Sequence, residues 1–350
     1  MKVIVPCCGR STRYPMDVPK WMLPAHDGRP MLALALHGLA VASADIVVTI
    51  LAEHEARHGV ANGIREALGD VRVVRLEEPT ASQAETVART LEILALDEPF
   101  LVKDSDNTFR LDDLDRGHNF VCVDSLNHHD LINPRNKSYV QVDHQDVVIN
   151  IREKVVVSDL FSVGGYFFTS PAAFLAHYER LAASRAPWSQ ECYISDVIGA
   201  MILEGIPFKA RRIEGYQDWG TVQDWRRAML GRKTCFVLLD GYLFERGSRF
   251  FRPRFEEAVP RPGAVVAMTN LVEHGHTVIY LSIRPAQLAR LTERQIRDAG
   301  LPPAQVVYDC PVSAWALLTA PHPTLPFHTC EALELDPDDP HLEAKIRGEA

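Results

Sequence analysis

The sequence predicts an α/β fold with a doubly wound, mostly parallel sheet. Over the first hundred residues, short apolar runs rich in β-branched residues alternate with longer segments of helical periodicity, and this alternation is typical of a parallel sheet. Polar or glycine-containing stretches follow several of the apolar runs, as expected where ligands bind beyond the carboxyl ends of parallel strands. With 47% hydrophobic and 24% charged residues, the composition is that of an ordinary globular protein.

The individual elements follow in chain order. Strands are predicted over 2–5, 45–51, 71–76 and 100–103, with helices over 31–42, 53–68 and 80–94 between them. Ser82 and Glu85 have the spacing of a capping box, which favours a helix start near them. Strands separated by turns are then predicted at 120–124, 138–142, 147–154 and 163–169. They indicate an antiparallel extension of the sheet, and a helix from 191 to 203 comes after it.

Chain length and charge limit the classes of function. The 350 residues suggest two domains, each able to bury its own core. A net charge of −9 argues against a nucleic-acid-binding surface, which needs basic patches. Seven scattered cysteines form neither a disulfide framework nor a C-x-x-C metal motif, and the adjacent Cys7 and Cys8 are interpreted as small buried loop residues.

Neither a membrane span nor a secretion signal is indicated. The most apolar window, 31–51, contains His37 and Asp45 and therefore predicts a helix followed by a strand. No signal-peptide pattern precedes the first strand. We therefore expect a protein of the reducing cytoplasm.

The loop after the first strand is the first candidate site. It contains small and polar residues around Gly9, and such a loop lets backbone N–H groups approach phosphates closely. Arg13 and Lys20 add two cations that could neutralise a polyphosphate. The loop matches neither the P-loop nor the G-x-G-x-x-G pattern, so an ordinary turn with two surface cations stays open as an alternative.

Two more polar loops are predicted at the same rim of the sheet. Residues 80–86 and 104–107 each follow a predicted strand, and parallel strands end on a common side. The plainer interpretations are a helix N-terminus for the first loop and turn-forming aspartates for the second. The functional interpretation is a divalent-metal site at Asp104 and Asp106, because hard cations such as Mg²⁺ take carboxylates, waters and substrate phosphates.

The opening segment resembles the signature of the sugar-nucleotidyltransferase superfamily, the nucleoside-diphosphate-sugar pyrophosphorylases. That signature is a strand, a small-residue loop ending in [ST]-R, and then P-K. The matching residues here are Gly9, Ser11, Thr12, Arg13, Pro19 and Lys20. Cys7 and Cys8 stand where the family usually has alanine, and Ser11 stands where it usually has glycine.

Later segments resemble the family in the same order. The first two are the segment around Gln83 and Asp106 after its strand. Asn150-Ile-Arg-Glu-Lys154 comes next, together with the strand Val163-Gly-Gly-Tyr166. The last two are the segment from Glu191 to Asp196 and the segment Gln217-Asp-Trp-Gly-Thr221. The resemblance implies four sets of residues: catalytic Arg13 and Lys20; nucleotide-binding Cys8, Gly9, Arg10, Ser11, Thr12, Gln83 and Ser105; acceptor-binding Glu153, Lys154, Gly165 and Glu191; and metal ligands Asp106 and Asp218. Without the Gly-Gly-Tyr that follows, Glu153 and Lys154 would be interpreted as a surface ion pair.

The resemblance also implies a reaction. A nucleoside triphosphate would donate its nucleotidyl group to a phosphorylated sugar or similar small phosphate, with Mg²⁺ as cofactor and release of pyrophosphate. Relatives associated with surface polysaccharides often use pyrimidines, which favours CTP or UTP. A non-catalytic nucleotide-binding scaffold and a phosphatase stay open as alternatives.

A second domain is predicted from residue 232 to 350, after a first domain of residues 1–231. A strand over 235–243 containing Asp240-Gly241 is similar to motif I of the haloacid-dehalogenase (HAD) phosphatases, D-x-D-G-T-L, and a strand over 278–282 ending in Ser282 is similar to motif II. Leu238 stands at the nucleophile position, and a leucine cannot form an aspartyl-phosphate.

The second domain is therefore expected to be a smaller, degenerate HAD-like α/β domain. Cys310 also stands where many relatives have lysine, so the phosphate pocket would lack a cation. We expect such a domain to serve in packing or in a homo-oligomer rather than in hydrolysis. The tail from residue 321, rich in proline, histidine and acidic residues, is expected to be disordered or packed on the surface.

Overall fold

The computed structural model describes residues 1–9, 18–25, 27–112, 116–129, 133–184, 191–230, 233–312, 316, 330–333, 335–336, 339, 341 and 344–345. It divides into two compact units, Met1–Trp225 and Arg226–Ala350. The division falls within the helix Val222–Leu230, just before the boundary expected at residues 231 and 232.

Strands of the first unit carry most of its core. In chain order they are β1 Lys2–Cys7, β2 Ile46–Leu51, β3 Arg72–Leu76, β4 Phe100–Lys103, β5 Asn107–Arg110, β6 Asn119–Ser125, β7 Ser138–Val142, β8 Val148–Glu153, β9 Leu160–Phe168, β10 Phe208–Arg212 and β11 Glu214–Asp218. Over the described residues, nine of them form one sheet in the order β10-β6-β9-β4-β1-β2-β3, with β7 and β8 joined through β9. β5 and β11 form a separate two-stranded ribbon.

The predicted mixed fold with a mostly parallel central sheet is confirmed. β4, β1, β2 and β3 run parallel to one another, with Val5 opposite Val48 and Val48 opposite Val73. β9 runs antiparallel between β4 and β6, and β7 extends the sheet antiparallel to β8 and β9. The inner strands β1, β2 and β4 are mostly apolar and buried, because both faces of the sheet are covered there. On β1, Val3 and Val5 pack into one apolar cluster while Ile4 packs into the other.

Helices of the first unit are α1 Met31–Leu36, α2 Ala52–His58, α3 Val60–Leu68, α4 Gln83–Leu94, α5 Pro171–Ser184, α6 Ile194–Leu203 and α7 Val222–Leu230, the last reaching into the second unit. The helix predicted over 31–42 ends already at Leu36, and two residues later Gly38 passes so close to the Phe109 carbonyl that a Cβ would overlap it. The helix predicted over 53–68 is broken at Gly59, which has φ +58°. Nowhere in the described parts does a helix combine the length and apolar character needed to cross a membrane.

The second unit contains a small parallel sheet. Its strands are β12 Thr234–Leu238, β13 Thr277–Leu281 and β14 Gln305–Val307, in that order, and its helices are α8 Pro262–Glu273 and α9 Ala289–Asp298. The strand predicted over 235–243 ends at Leu238, because Gly241 at φ +96° lets the chain turn and bring Asp240 opposite Phe244. Val237, Val278 and Tyr280 pack with the helices into one apolar cluster. The HAD-like origin of this unit stays a prediction.

Candidate functional site

The ribbon of β5 and β11 brings together two carboxylates that are far apart in sequence. Asp218, the last residue of β11, lies opposite Asn107, the first residue of β5. Asp106 directly precedes Asn107, and its carbonyl oxygen accepts a hydrogen bond of 2.8 Å from the Trp219 N–H. Asp218 at the end of β11 and Asp106 directly before β5 are therefore held next to each other, although neither strand was predicted from the sequence.

Asp106 pairs with Lys20, whose ammonium group donates to Oδ2 of the carboxylate. Lys20 opens a short 3-10 turn that follows Pro19. The next residue, Trp21, is buried and donates its indole N–H to the Cys7 carbonyl at 3.1 Å. This anchor fixes the turn against the end of β1 and so places the Lys20 ammonium at the rim of the sheet.

Asp218 pairs with a second lysine, Lys137. The Lys137 ammonium lies 2.5 Å from Asp218 Oδ2 and 2.8 Å from the Tyr216 hydroxyl oxygen. It lies beyond the hydroxyl edge of the Tyr216 ring, 5.2 Å from that centroid, and 5.6 Å from the centroid of the Phe161 ring. Lys137 was not predicted from the sequence, since a single lysine between Asn136 and Ser138 carries no local pattern.

Asp104 lies on the side of the site where helix α4 begins. The amide of Gln83, the first residue of α4, donates to Asp104 Oδ1 at 2.5 Å. The helix start itself is confirmed: Ser82 Oγ accepts from the Glu85 N–H at 3.1 Å. Burial raises the pKa of the Asp104 carboxyl above its usual value, and the negative charge of Asp106 adds to the effect.

Two buried groups shape the turn that carries Asp106. The Lys103 ammonium has no solvent exposure and donates to the Asp104 and Asn107 carbonyls, at 2.8 and 2.9 Å, and to Asn107 Oδ1 at 2.6 Å. Burial lowers the pKa of Lys103 to about 8. Gly164 of β9, at φ +78°, lies against the Asp104 carboxylate, where any Cβ would overlap it. Lys103 was missed because it sits within a strand whose sequence indicates only burial. Gly164 lies in the Gly-Gly-Tyr segment of the resemblance, of which only Gly165 was predicted as a site residue.

Glu153 and Lys154 form the opposite side of the site. Glu153 Oε2 accepts hydrogen bonds from the hydroxyls of Ser138 and Ser195, the latter at 2.9 Å. Lys154 has φ +56° and donates to the Tyr193 hydroxyl at 2.7 Å, with its ammonium 4.5 Å from that ring's centroid. The carboxylate is therefore fixed in place, while the half-exposed Lys154 ammonium is directed into the site.

These groups line one cavity of about 720 Å³. The predicted site residues in its lining are Gly9, Lys20, Gln83, Ser105, Asp106, Glu153, Lys154, Glu191 and Asp218. Arg10, Ser11, Thr12 and Arg13 lie outside the described residues. The cavity thus brings together residues from each segment of the first domain that resembles the nucleotidyltransferases.

Cys8 and Gly165 lie behind that lining. Cys8 packs in an apolar cluster with Val47 and Leu51, and Gly165 lies against Phe109 and Cys122, while its neighbour Gly164 faces the cavity. Burial raises the pKa of the Cys8 thiol to about 12, so the thiol is neutral at pH 7. The interpretation of Cys7 and Cys8 as small buried residues agrees with these positions.

The oxygen donors at the rim fit a hard divalent cation. Within the described ranges, no group of three or more histidine, cysteine, aspartate or glutamate side chains forms a complete metal site. Mg²⁺ is commonly held by one or two carboxylates, with waters and substrate phosphates completing its shell. Asp106 and Asp218, adjacent across the ribbon and lining the cavity, supply such a pair.

The second unit contains a different carboxylate site at the ends of β12 and β13. Arg284 Nε lies 2.9 and 3.2 Å from the two carboxylate oxygens of Asp240, and Arg284 Nη2 lies 2.8 Å from Asp240 Oδ1. Neither side chain has any solvent exposure. Ser282 donates to Asp240 Oδ2 at 3.3 Å, and Gln295 accepts from Arg284 at 2.5 Å. Asp240 is therefore enclosed by protein groups.

Comparison with known proteins shows where the fold recurs. No family model matches this chain. The chain is 30% identical over 230 residues to the bifunctional protein GlmU of Mycolicibacterium paratuberculosis, a match that covers 61% of this chain and 45% of that protein. The chain therefore spans less than half the length of this curated relative.

Two solved structures share the fold. The nucleoside-diphosphate-sugar pyrophosphorylase from Vibrio cholerae superposes with a TM-score of 0.56 at 21% identity, covering 65% of this chain and 99% of that one. A putative glucose-1-phosphate thymidylyltransferase from Bacillus anthracis gives a TM-score of 0.52 at 20% identity, covering 65% and 93%. A sugar-nucleotidyltransferase-like fold over about 65% of the chain is therefore confirmed.

Proposed function

We propose that the first unit is a sugar-phosphate nucleotidyltransferase. It transfers a nucleotidyl group from a nucleoside triphosphate to a phosphorylated sugar or a similar small phosphate, and it releases pyrophosphate. One observation carries the proposal: the β5–β11 ribbon sets Asp106 beside Asp218 in a cavity that also contains Lys20, Gln83 and Lys154. The similarity of fold to the pyrophosphorylase and thymidylyltransferase structures supports it.

Positioning and charge neutralisation account for the chemistry. An oxygen of the acceptor phosphate attacks the α-phosphorus in line, the bond from that phosphorus to the bridging oxygen breaks, and pyrophosphate leaves with the electron pair. Lys20, together with Arg13, neutralises the triphosphate, and the main-chain N–H groups of the opening loop around Gly9 approach its oxygens. Asp106 and Asp218 would hold Mg²⁺, which supplies positive charge at the α-phosphate when bound.

The acceptor side of the cavity suits a small anionic molecule with hydroxyl groups. Lys154, whose backbone has a left-handed conformation, lines the cavity, and its ammonium holds the acceptor phosphate. Glu153 and Glu191 accept hydrogen bonds from acceptor hydroxyls. We propose CTP or UTP as the donor and a surface-polysaccharide precursor as the product, from the resemblance of the motifs, and we place the reaction in the cytoplasm.

For the second unit we propose a HAD-like fold without phosphatase activity. Leu238 has no lone pair to attack phosphorus, and the Asp240 carboxylate is held by Arg284 in the protein interior. A buried carboxylate with these partners is not available to a substrate oxygen. We propose that the unit is retained for packing or self-association.

Pyrophosphate release tests the proposal. The full chain is mixed with Mg²⁺, each of CTP, UTP, ATP and GTP, and a panel of sugar phosphates. We expect pyrophosphate to appear with a pyrimidine nucleotide and to depend on the acceptor. Nucleotide binding without pyrophosphate from any pair would favour the scaffold alternative. Phosphate release from sugar phosphates without nucleotide would favour the phosphatase alternative.

A further inference from the structure

Two lysine ammonium groups contact the carboxylates that are proposed to hold the metal. Lys20 contacts Asp106, and Lys137 contacts Asp218. We infer that Lys137 is a positioning residue that orients Asp218 and neutralises it, so that the nucleotide-free protein binds a free divalent cation poorly until a triphosphate adds negative charge. This inference rests on the proposed function, and it deepens it by assigning an order of binding.

The surroundings of Lys137 are built for an ammonium group. Its side chain is 9% exposed, and the charge is surrounded by two oxygens and by the Phe161 ring, whose centroid lies 5.6 Å from the ammonium. The Lys137 carbonyl accepts from the Lys154 N–H at 2.9 Å, which ties this segment to the acceptor side. Because a buried charge is costly without partners, the aspartate and the tyrosine hydroxyl both specify a cation here.

Asp218 is oriented from both of its oxygens. Oδ2 accepts from Lys137, and Oδ1 accepts from the Gly220 N–H at 3.1 Å. The carboxylate therefore has a fixed direction before any ligand arrives. A neutral side chain at position 137 would leave the Gly220 contact in place but remove the charge that faces Oδ2.

The charges cancel within each of the two pairs at the proposed metal ligands, while other carboxylates of the cavity, such as Asp104 and Glu153, lie outside these pairs. Asp106 and Asp218 contribute two negative charges, and Lys20 and Lys137 contribute two positive charges. A divalent cation close to these lysines is repelled by them, and the repulsion is large at distances of a few ångström in a partly buried site. A triphosphate carries several negative charges, which reverse this balance. The protein thereby distinguishes a nucleotide-bound cation from a free one.

The two lysines differ in the freedom that this mechanism requires. Lys20 is on a turn at the rim, with 18% of its side chain exposed, and its flexible stem lets the ammonium move from Asp106 to a phosphate. Lys137 is enclosed and stays on Asp218. Removing the charge of Lys137 should therefore change the affinity for a free cation more than the affinity for a nucleotide-bound one.

Manganese binding to the full chain tests the inference directly. Free Mn²⁺ is titrated by electron paramagnetic resonance against the wild type, Lys137→Met, Lys137→Gln and Lys137→Arg, without nucleotide. We expect the Met and Gln variants to bind free Mn²⁺ at least about tenfold more tightly, because each removes one positive charge near the carboxylates. Lys137→Arg keeps the charge and should remain near the wild type. Lys209→Met, an exposed lysine of β10, is the matched control.

A second titration in the presence of CTP or UTP should reduce the difference between wild type and Lys137→Met. The inference is wrong if Lys137→Met and Lys137→Gln, both folded by circular dichroism, bind free Mn²⁺ no more tightly than the wild type. If one of them does not fold, the other decides. If no nucleotide binds and no pyrophosphate is released, the proposed function fails, and the manganese comparison still decides the role of Lys137.

Discussion

Asp106 and Asp240 both follow a strand of a parallel sheet, and both are paired with a basic side chain. Asp106 is 18% exposed, lines the cavity of the first unit and contacts the end of a flexible lysine. Asp240 has no exposure and is held by an arginine through several contacts, with Ser282 and Gln295 completing the network. A lysine can exchange one oxygen partner for another, whereas a buried arginine fork fixes its carboxylate. Position in the fold alone therefore does not make a carboxylate functional; access and the choice of partner do.

The largest effect is expected from breaking the buried ion pair of Asp240 and Arg284 in the second unit. Arg284→Met should destabilise the second unit by about 3–5 kcal/mol, because it leaves the Asp240 carboxylate buried without its cation. Hydrogen exchange of the β13 amides, residues 277–281, measures the loss as faster exchange.

The matched control for that change removes both charges. Asp240→Leu combined with Arg284→Met should cost clearly less than Arg284→Met alone, since replacing a buried ion pair by apolar groups is often close to neutral. If the double variant exchanges as fast as the single one, the pair is not the source of the stability difference.

The next largest effect is a loss of activity on changing Asp106 or Asp218 in the cavity of the first unit. Asp106→Asn and Asp218→Asn should each lower the rate of pyrophosphate release by about 10²–10³, because each removes one charge from the electrostatic stabilisation of the transition state. The fold should be retained, since asparagine keeps the volume of aspartate. Asp146→Asn is a matched control at an exposed ion pair with Arg212, and it should leave the rate unchanged. Turnover at the wild-type rate in either site variant would contradict the metal assignment.

The contrast between the two units was only partly visible in the sequence. Asp106 and Asp240 could be placed because each follows a recognisable apolar strand. Asp218 came from motif resemblance alone, since the sequence of β11, Glu-Gly-Tyr-Gln-Asp, has no strand pattern. The partners Lys137 and Arg284 could not be predicted, because what marks them is a contact made by folding: Lys137 meets a residue far along the chain, and Arg284 crosses from the end of one strand to the end of another.

A smaller loss of stability is expected from adding a side chain at Gly164, where the lining of the first unit's cavity is closely packed. Gly164→Ala should destabilise the first unit by about 1–3 kcal/mol, because the new Cβ would overlap the Asp104 carboxylate at a residue with φ +78°. The rate of pyrophosphate release should fall with it, since Asp104 orients Gln83. Thermal unfolding and the pyrophosphate assay measure the two effects.

Gly199→Ala is the control for that substitution. Gly199 lies within α6, and a Cβ added there would be 3.8 Å from Ile151 Cγ2, which is an ordinary contact. Alanine also favours a helix interior over glycine by up to about 1 kcal/mol. We expect Gly199→Ala to be as stable as the wild type or more stable. Equal losses in both variants would mean that glycine at 164 is not required by the Asp104 contact.

The smallest effect is expected where the second unit receives an aspartate at the nucleophile position of the proposed HAD-like motif. Leu238 is 39% exposed at the end of β12, so Leu238→Asp can place a carboxylate there at little cost to folding. The change supplies an oxygen able to attack phosphorus, but general acid–base catalysis still requires a second carboxyl group that is free to exchange a proton with the substrate. Asp240 does not meet that requirement, because Arg284 holds both of its oxygens in the protein interior. We therefore expect the full-length Leu238→Asp variant to hydrolyse p-nitrophenyl phosphate in Mg²⁺ no faster than the wild type, and neither to differ from Asp240→Asn. Turnover in the wild type that disappears in Asp240→Asn would show instead that the enclosed carboxylate opens to substrate, and that the difference between the two units lies in their motion rather than in their partners.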